Sequence, residues 1–62
     1  MNNVKMLLDK ANRNDKEAQY QLGKIYSMGN TKIEKDTNKS IEWYQKAASN
    51  GHTGAQVILG KF

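Results

Sequence analysis

The stretch AQYQLGKIY, residues 18–26, returns near the other end of the chain as AQVILGKF, residues 55–62. A shift of 37 residues aligns the two copies without a gap. The same shift pairs identical residues at six positions: Ala11/Ala48, Ala18/Ala55, Gln19/Gln56, Leu22/Leu59, Gly23/Gly60 and Lys24/Lys61. A period of this length is typical of helix-turn-helix units that stack side by side into a solenoid.

Apolar residues recur at intervals of three and four positions along most of the chain, which is the spacing of an amphipathic helix. Four sets carry the pattern: Val4, Leu7, Leu8 and Ala11; Ala18, Leu22, Ile25 and Tyr26; Ile41, Tyr44 and Ala48; and Ala55, Ile58, Leu59 and Phe62. No stretch sustains the period of two that a half-buried strand requires. The sequence therefore predicts an all-α fold with helices near residues 3–12, 15–28, 37–49 and 54–62.

Polar and glycine residues mark the ends of these helices. Asn14 before Glu17, and Thr53 before Gln56, have the spacing of a capping box, in which two side chains satisfy the free amides of a first turn. For the third helix, either Asp36 or Thr37 can serve as the N-cap. The remaining signals are two glycines, Gly29 and Gly51, which stand where helices should end in a left-handed residue.

Gly23 and Gly60 are different, because they fall inside predicted helices. A glycine there costs about 1 kcal/mol relative to alanine, so its repetition needs a compensating gain. We expect that the missing side chain lets a neighbouring helix come close at both positions. The predicted neighbours are small residues: Ala47, Ala48 or Ala11.

The composition limits the classes of function. A chain of 62 residues forms at most one domain, and the absence of cysteine excludes a disulfide framework and a thiolate metal site. The sequence shows neither a secretion signal nor the roughly 20 apolar residues that span a bilayer, so we expect a soluble, cytoplasmic chain. His52 is the only histidine, and we interpret it as a turn residue. We expect no catalytic residue, no cofactor and no metal site.

The formal net charge of +4 raises the alternative of nucleic-acid binding. Such binding needs lysines gathered on one face among aromatic platforms. Here the lysines are spread over every segment: Lys5, Lys10, Lys16, Lys24, Lys32, Lys35, Lys39, Lys46 and Lys61. We interpret the excess charge first as a contribution to solubility.

Residues 17–52 resemble one complete unit of the Sel-one-like repeat (SLR) family, relatives of the tetratricopeptide repeats. The matching positions are Ala18, Leu22, Gly23, Tyr26, Gly29, Asp36, Trp43, Tyr44, Lys46, Ala47, Ala48, Gly51 and His52. The resemblance implies an α/α solenoid of antiparallel helix pairs that holds proteins or peptides without chemistry of its own. It divides the chain into a half repeat at 3–13, a full repeat at 15–52 and a half repeat at 53–62, and makes Trp43 and Tyr44 core residues.

Two features depart from the family pattern. Ser40 replaces the usual packing alanine, and the loop GNTKIEKD, residues 29–36, is one residue longer and lacks a second glycine. The sequence therefore leaves the geometry of this loop open.

The face left over after helix packing is the candidate binding site. Its predicted residues, on the second and fourth helices, are Glu17, Tyr20, Lys24, Ser27, Met28, Val57 and Lys61. An aromatic ring, a methionine and lysines suit an extended peptide with an apolar anchor and carboxylates. The alternative is a solvated face on which Tyr20 covers part of the core.

The fourth helix also predicts self-association. Ile58, Leu59 and Phe62 cannot all be covered by one preceding helix pair, and exposed apolar ends favour partners. The homo-oligomer would form by end-to-end stacking or by helix exchange. Two alternatives stay open: the sequence is part of a longer array, or the chain is a purely structural unit whose only ligand is itself.

Overall fold

In the computed structural model, residues 3–29 and 33–60 are described. Within them the helices are α1 (Asn3–Asn12), α2 (Lys16–Met28), α3 (Thr37–Ser49) and α4 (Thr53–Leu59), and no strand occurs in these ranges. Each helix packs on the next one along the chain. The prediction of an all-α fold built from antiparallel helix pairs is confirmed. We call α2 and α4 first-type helices, and α1 and α3 second-type helices.

The 37-residue repeat is visible in the backbone of two turns. The turn from α1 to α2 is closed by hydrogen bonds from the N–H groups of residues 13, 14 and 15 to the carbonyls of residues 10, 11 and 10, at 3.0–3.1 Å. The turn from α3 to α4 contains the same three bonds 37 residues later, again at 3.0–3.1 Å. Each turn has one left-handed residue at the equivalent place: Asn14 with φ 69° and Gly51 with φ 92°. Glycine and asparagine are the residues that adopt this conformation most readily.

The predicted helix caps are partly wrong. Asp15, not Asn14, is the N-cap of α2, and its carboxylate accepts a hydrogen bond from the Ala18 N–H at 3.1 Å. His52, not Thr53, is the N-cap of α4, because Nδ1 of its ring accepts a 3.1 Å hydrogen bond from the Ala55 N–H. The reason for the first error is that Asn14 is needed for the left-handed turn, so the cap moves one residue along the chain.

Other end signals were predicted correctly. The Asp36 carboxylate accepts from the Lys39 N–H at 3.1 Å and caps α3. Gly29 has φ 74°, so both predicted terminal glycines are left-handed. The fourth helix is shorter than predicted, because α4 ends at Leu59; residues 61 and 62 lie outside the described part of the chain.

The core consists of two small clusters. The buried members of the first are Ala11, Ala18 and Leu22, and Trp43 packs against them while half-buried. The second is built around buried Tyr44, Ala47 and Ala55, with Tyr20, Ile58 and Leu59 packed on it. The neighbouring residues Trp43 and Tyr44 therefore serve different clusters. The prediction of two core aromatics is confirmed for Tyr44 and only partly for Trp43.

Gly23 does permit a close approach, but not by the predicted alanines. A Cβ atom at this position would lie 2.6 Å from Cδ1 and Cε1 of the Tyr44 ring. At the same crossing, the Ser40 hydroxyl donates a 2.7 Å hydrogen bond to the Gly23 carbonyl. An aromatic ring and a hydroxyl on α3 thus use the space left by the absent side chain on α2.

The prediction for Gly60 is wrong. Gly60 is exposed and follows the last residue of α4. Among the described residues, a Cβ there would meet only the carbonyl oxygens of Val57 and Gln56, at 3.4 and 3.5 Å. The physical reason is that no helix within the described ranges crosses α4 in the way that α3 crosses α2.

The repeated glutamine has a structural role. The Gln19 side chain is buried, and its Nε2 donates to the Ala11 carbonyl at 2.9 Å. The Gln56 side chain makes the equivalent bond to the Ala48 carbonyl at 3.1 Å. Gln19 also accepts a 2.9 Å bond from the Asn50 side chain, which ties the start of α2 to the residue after α3. The glutamines therefore fix each first-type helix to the preceding second-type helix.

Candidate protein-binding face

Four polar and aromatic side chains meet where α2 passes the start of α4. The rings of Tyr20 and His52 are stacked, with centroids 4.2 Å apart and planes inclined by 19°. The Lys24 ammonium lies 5.6 Å from the Tyr20 centroid, on the scale of a cation–π contact. Glu17 Oε2 lies 2.9 Å from His52 Nε2. We call these residues (Glu17, Tyr20, Lys24 and His52) the Tyr20 cluster.

The two ring nitrogens of His52 have different tasks. Because Nδ1 accepts the hydrogen bond from the Ala55 N–H, the neutral ring carries its proton on Nε2 and donates it to Glu17. The hydrogen bond with His52, followed by one with Gln21, holds the pKa of the Glu17 carboxyl below its ordinary value of 4.5. The carboxylate itself is 64% exposed, whereas the His52 side chain is 14% exposed. One edge of the cluster therefore faces solvent while the other is enclosed.

Tyr20 belongs both to this surface and to the core. Its ring is half-buried and packs on Tyr44 at a centroid distance of 5.7 Å, inclined by 49°. Burial raises the pKa of the Tyr44 hydroxyl above its ordinary value, while hydrogen bonding with Ser27 and Ser40 acts in the opposite direction. The sequence left open the alternative that Tyr20 covers part of the core. One side of the ring does so, because it packs against Tyr44 and the second core cluster.

Of the remaining predicted binding residues, Ser27 contacts the Tyr20 cluster only through the backbone of Lys24. The Ser27 hydroxyl donates to the Lys24 carbonyl at 2.8 Å and is half-buried. Met28 and Val57 are exposed apolar side chains, at 71% and 56%. Lys61 lies outside the described residues. The structure thus brings Glu17, Tyr20 and Lys24 together and leaves Met28 and Val57 as separate apolar positions.

The predicted self-association residues are only partly open. Ile58 and Leu59 are half-buried and pack against the second core cluster. Phe62 lies outside the described residues. Among the described residues of α4, Val57 is the large apolar side chain with the greatest exposure.

Sequence reasoning missed His52 as a member of this face, because it was assigned only to a turn. A signal existed in the repeat: position 52 is equivalent to position 15, and both residues cap a first-type helix. Two cavities away from the predicted face were also missed. One, of about 460 Å³, lies between α1 and α3 and is lined mainly by polar side chains such as Gln45 and Asn50. The other, of about 290 Å³, is lined by residues of α1 and by Gln21 of α2.

Nothing in the described ranges suggests a metal site or a membrane span. Residues 3–29 and 33–60 hold no group of three or more histidine, aspartate or glutamate side chains that could coordinate an ion. No described helix combines the length and apolar character needed to cross a bilayer.

Comparison with known families identifies one match. The family model described as the Sel1 repeat matches residues 16–52, which is more than half of the chain and includes α2, α3 and the loop between them. Comparisons with curated proteins and with solved structures gave no match.

Proposed function

The chain belongs to the Sel1 repeat family, and from this premise we propose that it is a non-catalytic adaptor that binds a protein or peptide on the face formed by α2 and α4. Sel1 repeats generally mediate protein–protein interactions. The family is a non-catalytic repeat module, which argues against an enzyme.

The stacked pair of Tyr20 and His52 is the observation that supports this face most strongly. The half-buried Tyr20 ring supplies a partly apolar surface that its contacts with His52 and Tyr44 already hold in place, so little side-chain entropy is lost on binding. Lys24 beside the rings supplies a cation for a carboxylate of the ligand. A ligand with an aromatic or aliphatic side chain next to an acidic one has the matching chemistry.

Exposed apolar residues extend the proposed surface. Met28 at the end of α2 and Val57 on α4 are more than half exposed. Flexible methionine side chains adapt to different apolar partners. A segment that crosses both first-type helices would bury Met28 or Val57 in addition to the Tyr20 cluster.

The test is affinity capture with matched charge variants. Lys24→Glu changes the proposed face, and Lys46→Glu makes the same change on α3, where the Lys46 ammonium lies 4.8 Å from the Trp43 ring centroid. We expect the wild-type chain and Lys46→Glu to capture the same proteins, and Lys24→Glu to lose them. Equal capture by all three would contradict the assignment to this face, and capture of nothing by the wild type would contradict the adaptor function.

Nucleic-acid binding is the weaker alternative, although two lysine–aromatic pairs favour it. Lys39 lies 5.5 Å from the Tyr26 ring centroid, near the pair of Lys46 and Trp43. Both pairs line a cavity of about 190 Å³ that also contains Glu42, whose carboxylate repels phosphate. A salt-sensitive gel shift with mixed oligonucleotides would overturn this ranking.

Self-association is the second part of the proposal. Val57 on α4 and Met6 on α1 leave 56% and 57% of their surface open, at opposite ends of the row of helices. Contact between copies would bury both side chains and supply part of the apolar burial that a domain of this size lacks. If the chain bound no other protein, this contact between copies would be its whole function. That case is the alternative of a purely structural unit whose only ligand is itself.

A further inference from the structure

The two ends of the described structure are complementary halves of one repeat. At one end, α1 is a second-type helix with no first-type helix packed on its outer side within residues 3–29 and 33–60. At the other end, α4 is a first-type helix that packs on α3, and no other second-type helix among these residues covers its outer side. Packing α4 of one copy on α1 of a second copy would therefore assemble a complete pair.

An open groove on α1 lies where such a contact needs it. Met6, Leu7, Lys10 and Gln21 line the cavity of about 290 Å³ at this end. The 37-residue shift maps three of these positions onto Tyr44, Ala47 and Ile58. Those three residues belong to the second core cluster, against which Tyr20 also packs with its ring 5.7 Å from that of Tyr44. The groove on α1 is thus the equivalent of a site that is filled one repeat later.

The residue equivalent to Tyr20 is Val57. Tyr20 is half-buried because α3 lies beside it, whereas Val57 remains 56% exposed. Val57 on α4 and the groove on α1 therefore occupy the positions that Tyr20 and its site on α3 occupy within the full repeat. Val57 is exposed because, within the described ranges, it has no neighbouring helix equivalent to the one that covers Tyr20.

Gly60 gives a second match in the same register. Its equivalent, Gly23, is covered so closely by Tyr44 that a Cβ would approach the ring to 2.6 Å. Tyr44 maps onto Leu7, which lines the open groove. Gly60 itself meets no other helix in the described ranges, and a side chain of another copy has free access to it.

From this register we propose that copies of the chain associate head to tail, with α4 of one copy packed on α1 of the next, Val57 in the groove and Gly60 against Leu7 of the second copy. The proposal rests on the self-association proposed above and adds its surfaces. Because the two surfaces differ, the contact is heterologous and continues the solenoid from copy to copy instead of closing a two-fold dimer.

The experiment blocks one end at a time. Val57→Glu places a carboxylate on the α4 side, and Met6→Glu places one beside the groove. Both side chains are more than half exposed, so the variants should keep the helical circular dichroism of the wild type. Gln45→Glu, at an exposed position of α3 that faces the cavity between α1 and α3, adds the same charge as a control.

Sedimentation velocity over a wide concentration range gives the readout. The wild type and Gln45→Glu should form successively larger species, and each end variant alone should remain monomeric. An equimolar mixture of the two end variants should form a dimer that grows no further, because it retains one intact pair of surfaces. Association of either end variant alone, or a mixture that stays monomeric, would overturn the register. A wild type that is monomeric throughout would overturn self-association itself.

Discussion

The Tyr44 ring lies over Gly23 so closely that α2 and α3 could not keep their present separation if residue 23 carried a side chain. The same approach brings the Ser40 hydroxyl within 2.7 Å of the Gly23 carbonyl. The free-energy cost of a glycine inside a helix is thereby offset by one aromatic contact and one buried hydrogen bond.

Gly23→Ala should destabilise the fold by about 1–3 kcal/mol, because the added methyl group overpacks against a buried ring and this cost exceeds the helix-propensity gain of alanine. Gly60→Ala is the matched control: its φ of −64° suits alanine and its surroundings are open, so we expect no loss. Thermal denaturation of both variants, at a concentration where the chains are monomeric, measures the difference. Equal melting temperatures would show that the crossing is looser than described.

Ser40→Ala should cost about 1–3 kcal/mol, because it removes the hydrogen bond to the Gly23 carbonyl while that group stays buried. Ser49→Ala, on the exposed side of the same helix, should leave stability within about 0.5 kcal/mol of the wild type. Urea denaturation of the two variants provides the comparison. A stabilised Ser40→Ala protein would mean that alanine packing outweighs the bond at this position.

The architecture was predictable because it depends on periodicity. The helix pattern and the repeated AQ and LG pairs predicted the order of the helices, the burial of Ala18 and Leu22, and the left-handed glycines. These features follow from spacing along one helix, which a sequence displays directly.

The wrong predictions concern features that depend on contacts between helices. The neighbour of Gly23 depends on how two helices cross, and helical spacing does not specify which residue of α3 arrives there. The prediction for Gly60 assumed a crossing helix that the described ranges do not contain. For the candidate site, Glu17, Tyr20 and Lys24 were predicted to share a face and lie together. The repeat indicated only the capping role of His52, whereas its stacking on Tyr20 joins residues more than 30 positions apart.

Acid should weaken the fold through Glu17. Its pKa is lowered in the folded chain, chiefly by the hydrogen bond with His52, so its contribution to stability is present above the ordinary value of 4.5 and is lost as the pH falls through the lower folded value. Glu17→Gln should remove this part of the pH dependence of the melting temperature. Glu34→Gln, which leaves the Glu17–His52 pair intact, should retain it. Identical acid profiles for the two variants would contradict a role for the pair.

His52 combines a helix cap with an aromatic contact, and two substitutions separate these roles. His52→Asn keeps an N-cap acceptor but loses the stacked ring, whereas His52→Ala loses both. The cap should be worth about 1 kcal/mol and the ring contact about 0.5–1.5 kcal/mol, so stability should fall from wild type to His52→Asn and further to His52→Ala. Chemical denaturation gives this order. If His52→Asn were no more stable than His52→Ala, the cap of α4 would contribute nothing to stability. Asp15 and His52 would then occupy equivalent positions without both stabilising their helices.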